Sequence, residues 1–199
     1  GVGGGGWGWG RAAGFLCASR EVELTGIEAR PECAALAAEN APNLQVWTGD
    51  IFAPPPELAQ IGFDWVMTNP PFFDVADPAS PDAGRDVARR EAKGAQAWTV
   101  ACLRRVRSGG RIAVIHLAER LPAILAGLEG AGDIAVLPLQ ARVGRPAKRV
   151  IVTARKGARG PFRLAAPLVL HQGEAHQGDF DDFTPEAQAV LRDAMPLVF

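Results

Sequence analysis

The stretch Met67–Asp74, MTNPPFFD, holds the residues best suited to chemistry. It follows the apolar run Phe63–Met67, so Asn69 stands at the end of a predicted strand. Pro70 and Pro71 lack an N–H and have a fixed φ, so this corner presents mainly acceptors. These are the Asn69 side-chain oxygen and the Pro70 carbonyl. Two rigid acceptors match a group with two N–H bonds, an amino group on a flat ring or an amide. Such a nitrogen is a poor nucleophile because its lone pair is conjugated. Accepting both hydrogens favours a pyramidal nitrogen and aims the lone pair, which needs preorganisation more than a strong base. Phe72 follows, and an aromatic there can stack on a planar substrate for about 1–3 kcal/mol. Phe73 suits core and site equally. The plain alternative is a Pro-rich loop with an aromatic plug.

Other groups gather at strand ends, where ligands of open α/β sheets bind. Glu28 ends one predicted strand, and an acid there can accept from ribose hydroxyls. Asp50 ends the next; its carboxylate can accept from an adenine amino group while the Ile51 N–H donates to the ring. Gly6, Gly8 and Gly10 can form a turn that approaches a ligand closely. Together they describe an adenosine-containing ligand, although a Gly-rich turn is usually only a turn. A methyl on a sulfonium held there completes an in-line displacement. A nicotinamide dinucleotide fits the same layout, but a dehydrogenase has no use for MTNPPFFD.

These residues need a scaffold of alternating strands and helices. Predicted strands are Val22–Glu28, Leu44–Asp50, Phe63–Asn69, Arg111–Leu117, Ile134–Gln140 and Arg149–Arg155. Helices are expected over Arg11–Ser19, from Pro31 through PECAALAAENA, over Arg85–Val106 and over Ala118–Leu128, the last interrupted near Pro122. Ser108-Gly109-Gly110 is expected to break the helix Arg85–Val106 before the strand from Arg111. The fold class is α/β: a Rossmann-like, doubly wound, mostly parallel sheet. The last two strands, joined by a short loop, predict an antiparallel edge hairpin. One domain over 1–199 is expected, with a C-terminal appendage over 164–199 containing PLVLH and a short helix from Thr184. A first strand belongs before Arg11, yet GVGGGGWGWG has seven glycines in ten residues. Glycine packs nothing and loses the most entropy on ordering, so an incomplete N-terminus is expected.

With 48% hydrophobic residues the chain is globular rather than disordered. Its net charge of −1 argues against indiscriminate nucleic-acid binding. No apolar run reaches the roughly 18 residues of a membrane span. Cys17, Cys33 and Cys102 lack metal spacing and suit a reduced, cytoplasmic protein. His116, His171 and His176 also lack metal spacing, so no metal is expected. Ile134 to Gly173 contains no acid but carries Arg142, Arg145, Lys148, Arg149, Arg155, Lys156, Arg159 and Arg163. The asymmetry marks either a phosphate-binding face or a solvated hairpin rim.

TGIEARPECAALAAEN, VMTNPPFF, the Arg-Arg-Glu segment before Trp98, SGGRIAVIHLAERL and GRPAKRVIVTARKG carry a resemblance from about Gly6 to His171. The chain resembles the class I S-adenosylmethionine-dependent methyltransferases that methylate amino nitrogens. More narrowly it resembles the bacterial tRNA (adenine-N6)-methyltransferase family acting on valine tRNA. The resemblance implies S-adenosylmethionine as cofactor, contacted by Gly6, Gly8, Glu28, Ala29, Asp50, Ile51 and Asn69. It implies that Asn69, Pro70, Pro71 and Phe72 hold an adenine of the anticodon loop, a base that costs little to splay out. Arg85, Arg89, Arg145, Lys148, Arg149 and Lys156 are then the tRNA contacts. Gly4 stands where the family has an acid, and Trp7 and Trp9 where it has small residues. Rival expectations are methylation of a protein glutamine, as in release factors, methylation of a ribosomal RNA base, and a non-catalytic RNA-binding module.

Overall fold

Apolar runs of strand length alternate with Ala-rich segments, and the computed structural model of the chain follows that rhythm. It describes residues 22–70, 94–175 and 182–199. The expected first strand, the helix over Arg11–Ser19 and the start of the helix from Arg85 lie outside the described residues.

Strand β1 (Leu24–Glu28) leads into helix α1 (Pro31–Asn40), with Pro31 in the first turn where no N–H is missed. Strand β2 (Leu44–Thr48) returns parallel to β1, pairing Glu28 with Thr48. A short helix, α2 (Pro56–Ala59), precedes β3 (Phe63–Thr68). Helix α3 (Gly94–Arg105) crosses to β4 (Val106–Leu117), which lies parallel to β3 with Thr68 opposite Val114. A 3₁₀ turn over Ala118–Arg120 and helix α4 (Leu121–Ala126) follow, Pro122 opening α4 rather than interrupting it.

Strands β5 (Ala131–Gln140) and β6 (Arg149–Lys156) form an antiparallel pair. Strand β6 sits between β4 and β5, antiparallel to both. The expected hairpin is therefore present, but β5 is not the outer edge. Short strands β7 (Arg163–Leu164) and β8 (Leu168–Val169) pair with it in parallel. Helix α5 (Pro185–Leu191) closes the described chain, its N-cap Thr184 accepting from the Ala187 N–H. Two strand pairings thus join Leu164, Leu168 and Val169 to the sheet.

The core lies between the sheet and helices α3 and α4. Ile112, Val114, Val150, Val152 and Ala154 point to one face, and Trp98, Cys102, Ile124 and Leu128 cover it. Each such aliphatic side chain contributes about 1.5–3 kcal/mol relative to exposure. Gly127 permits close helix packing, because a Cβ there would lie 2.7 Å from Gln96 O and from Thr99 Cβ.

The helix ends before Ser108-Gly109-Gly110, but the strand already starts at Val106, ahead of the expected Arg111. Ser108-Gly109-Gly110 forms a bulge inside β4, where pairing jumps from Phe63–Val106 to Trp65–Arg111. Gly109 takes a φ of +77°, and a Cβ on Gly110 would lie 2.9 Å from the Asp64 carbonyl oxygen. Glycine reads locally as a breaker, yet here it lets two backbones approach.

Candidate active site

Parallel pairing puts the ends of β1 and β2 on one side of a two-stranded sheet, and those of β3 and β4 on one side of a six-stranded sheet. Glu28 ends β1, and the backbone joins it to the next strand through Gly49 N–H to Glu28 O at 2.9 Å. The Arg30 N–H donates to Glu28 Oε1 at 3.0 Å, orienting a carboxylate that is 15% exposed. Ala29 is half-buried beside it. Asp50 follows β2 in a tight turn: Oδ1 accepts from the Phe52 N–H at 3.0 Å, and the Ala53 N–H donates to Asp50 O. Ile51 is buried in this turn. A groove of about 550 Å³ opens between Ile51, Phe52 and Pro54 and the α3 residues Gln96, Val100 and Arg104. A second hollow, about 510 Å³, lies at the opposite end of β3 around Asp64, Trp65 and Arg107 and holds none of the expected site residues.

Asn69 follows directly after β3, before a buried Pro70. Among the described residues, two buried side-chain polar atoms have no hydrogen-bond partner, Trp47 Nε1 and Asn69 Oδ1. Thr68, just before the corner, accepts the Trp98 indole N–H at 2.8 Å. Cys102 lies wholly buried next to this pair. Burial pushes its thiol up to about 12, against smaller opposing effects that include hydrogen bonds with Thr68 and Trp98. Trp98 also meets Phe52 edge-on, with ring centroids 5.5 Å apart at 88°. Thr68, Trp98 and Phe52 were not among the expected site residues. Adjacency to Asn69 was the available signal for Thr68; for Trp98 there was none beyond a helical face.

The expected basic face divides between the two ends of the sheet. Arg145, Lys148 and Arg149 are exposed on and beside the β5–β6 loop. That loop is tied to the end of β4 by Ala118 N–H to Lys148 O at 2.9 Å, and Arg149 pairs with Leu117. It lies on the Asn69 side, about two strand spacings, roughly 10 Å, across the sheet. Lys156 stands at the far end of β6, seven residues or roughly 23 Å from Arg149. Its ammonium donates to the carbonyls of Leu103 and Val106 and caps helix α3. Lys156 thus stands at the other end of β6 from Arg145, Lys148 and Arg149, with its ammonium at the end of helix α3. Gly6, Gly8, Pro71, Phe72, Arg85 and Arg89 lie outside the described residues. Among the described residues no cluster of three His, Cys, Asp or Glu could hold a metal ion, and no helix is long and apolar enough to cross a membrane.

No family model and no curated sequence matches the chain. Solved structures do. A predicted O-methyltransferase from Agrobacterium tumefaciens superposes over 96% of this chain and 86% of its own, with a TM-score of 0.70 at 23% identity. This is the class I methyltransferase fold. A protein from Listeria monocytogenes assigned to the class I S-adenosylmethionine-dependent methyltransferases covers 76% of this chain and 52% of its own, with a TM-score of 0.51 at 13% identity. A Thermoplasma acidophilum protein assigned as a methyltransferase covers 81% and 69%, with a TM-score of 0.51 at 16% identity. In the methyltransferase fold, Glu28, Asp50 and Asn69 stand at the carboxyl ends of the strands, the side where open α/β sheets bind ligands.

Proposed function

We propose that the chain is an S-adenosylmethionine-dependent N-methyltransferase acting on the amino group of an adenine in RNA, with an anticodon-loop adenine of tRNA as the expected target. The observation that carries the reading is Asn69 Oδ1, a buried acceptor without a protein partner immediately after β3. Leaving such an atom unsatisfied costs about 1–3 kcal/mol. The cost is understandable if a substrate N–H bond fills the place.

The residues present fit S-adenosylmethionine. Glu28 has one oxygen held by the Arg30 N–H, which orients the carboxylate at a strand end suited to ribose hydroxyls. The Asp50 turn offers a carboxylate and the Ile51 backbone, with the groove of about 550 Å³ alongside. Gly49 lets Pro55 and Ile27 pack against the end of β2, since a Cβ there would lie 3.1 Å from Pro55 Cδ and 3.5 Å from Ile27 Cδ1. When bound, the cofactor supplies a methyl group activated by an adjacent sulfonium.

Asn69 Oδ1 and the Pro70 carbonyl accept the two hydrogens of the amino nitrogen and turn its lone pair outward. Pro71 stiffens that corner and Phe72 stacks on the base. Glu28, Asp50 and Ile51 would hold the cofactor, which would supply an electrophilic methyl group to this nitrogen, and the surplus proton of the nitrogen would pass to water. No general base is needed, because the nitrogen becomes acidic once alkylated. Arg145, Lys148 and Arg149 hold phosphates on the same side of the sheet, with Arg85 and Arg89 as further RNA contacts.

The test supplies the protein with labelled S-adenosylmethionine and, separately, total tRNA, ribosomal RNA and a release factor. Digested nucleosides are then separated by mass. Label in N6-methyladenosine from tRNA is expected. Label found only in protein or only in ribosomal RNA overturns the tRNA assignment, and no transfer to any acceptor overturns the enzyme.

A further inference from the structure

Trp98 touches both halves of the candidate site. Its indole N–H donates to Thr68 Oγ1 at 2.8 Å, in a buried setting, one residue before Asn69. Its ring packs perpendicular to that of Phe52, whose N–H donates to Asp50 Oδ1. Trp98 is itself 6% exposed, and Thr99, Ala101 and Cys102 of α3 are buried beside it. One rigid side chain on a helix therefore links the acceptor corner to the acid-bearing turn.

We propose that Trp98 is a positioning residue: through Thr68 it fixes the aim of Asn69, and through Phe52 it fixes the Asp50 turn against the methyl donor. The proposal rests on the methyl-transfer reading above. Asn69 lies just past the last ladder pair, Thr68–Val114, so its direction depends on how firmly Thr68 is held. Thr68 has a second restraint, the indole bond, in the core where no water competes. A misplacement of about 1 Å at a reacting group can cost on the order of a hundredfold in rate, so a modest slackening suffices to be seen.

The two contacts use different atoms of the ring and can be separated. Trp98→Phe keeps an aromatic edge for Phe52 and removes the N–H. Thr68→Val keeps the shape and removes the acceptor. In each, kcat is expected to fall about tenfold with the Kd for S-adenosylhomocysteine within about twofold of the parent. The double variant Trp98→Phe/Thr68→Val is expected to fall well short of the product of the two single losses, because both single changes remove the same indole–hydroxyl bond besides the Cys102 contact each residue makes. Trp98→Leu removes both contacts and is expected to weaken S-adenosylhomocysteine about tenfold as well, read by calorimetry.

Melting curves and circular dichroism establish that each variant is folded at the assay temperature. Folded Trp98→Phe and Thr68→Val turning over at the parent rate overturn the proposal, whatever their melting temperatures, and assign Trp98 to the core alone. Fully additive losses in the double variant also overturn it. A parent protein that transfers methyl to none of the acceptors sinks the methyl-transfer reading and this proposal together. An active parent with unaffected variants sinks this proposal only.

Discussion

The Lys156 ammonium lies 2.7 Å from the carbonyl oxygen of Val106, fifty residues earlier in the chain, and 3.0 Å from that of Leu103. A cation at the end of α3 satisfies carbonyls that the helix leaves without partners and complements its dipole. Charge alone would class Lys156 with Lys148, yet Lys148 is exposed while Lys156 is tied to helix carbonyls. Lys156→Met is expected to lower stability by about 1–2 kcal/mol in urea titrations. RNA affinity and its salt dependence are expected to stay as in the parent. Arg145→Ala and Lys148→Ala are expected to do the opposite: stability holds, while the slope of log affinity against log salt falls by about one for each. A Lys156→Met protein that loses RNA affinity as strongly as Lys148→Ala would return Lys156 to the RNA-contacting group.

Asn69→Ala separates function from stability. Its Oδ1 is buried without a partner, so truncation removes an unmet desolvation cost. The variant is expected to unfold within about 1 kcal/mol of the parent, or to be more stable. Methyl transfer is expected to be lost while RNA binding persists. Near-normal turnover in single-turnover assays refutes the role given to this side chain. A large loss of stability instead means that Oδ1 has a structural partner.

Arg142 and Asp182 form an ion pair at 2.5 Å, with side chains 13% and 10% exposed. Asp182 also meets His171 Nδ1 at 2.6 Å, and His171 stacks on Phe183. This cluster fastens the C-terminal segment to the loop after β5. Removing Arg142 leaves the Asp182 carboxylate largely buried with His171 still beside it, so the cost is at most about 3–5 kcal/mol. Arg142→Met is therefore expected to shift the urea midpoint downward by that order. Amide exchange is expected to quicken first in β8 and α5, since the pair joins those elements to the sheet. Uniform exchange across the whole chain would argue against a local fastening.

Cys102 gives a pH signature. Burial raises its thiol from the ordinary 9.0 to about 12. Between those values the unfolded chain loses a proton that the folded chain keeps. Stability from this group is thus complete below pH 9 and is lost as pH rises toward 12, at up to ~1.4 kcal/mol per pH unit. The measurement is the difference in unfolding free energy between the parent and Cys102→Ala, followed from about pH 8 to about pH 10.5. The gap is expected to narrow as pH rises. The same burial predicts that thiol reagents label Cys33 in the folded protein and Cys102 only after unfolding.

What the amino acids settled alone was local. Pro31 opens α1 because its ring is tolerated in a first helical turn. The alternation of apolar runs and Ala-rich segments implied a mostly parallel α/β fold, with Glu28, Asp50 and Asn69 expected at carboxyl ends of its strands. Pro70 and Pro71 make the corner after Asn69 poor in donors wherever it is placed, since that follows from covalent structure. The tertiary structure decided everything that depends on partners distant in sequence. Ser108-Gly109-Gly110 reads as a break until Asp64 is seen to press against Gly110 and turn it into a bulge. Arg149 and Lys156 read as one basic run until a strand, rising roughly 3.3 Å per residue, carries them to opposite ends of the sheet. Trp98 read as one more helical apolar residue until packing brought its N–H to Thr68, thirty positions away. Propensity and ring closure act within a few residues of the chain, whereas register and close packing are properties of surfaces brought together by the whole fold.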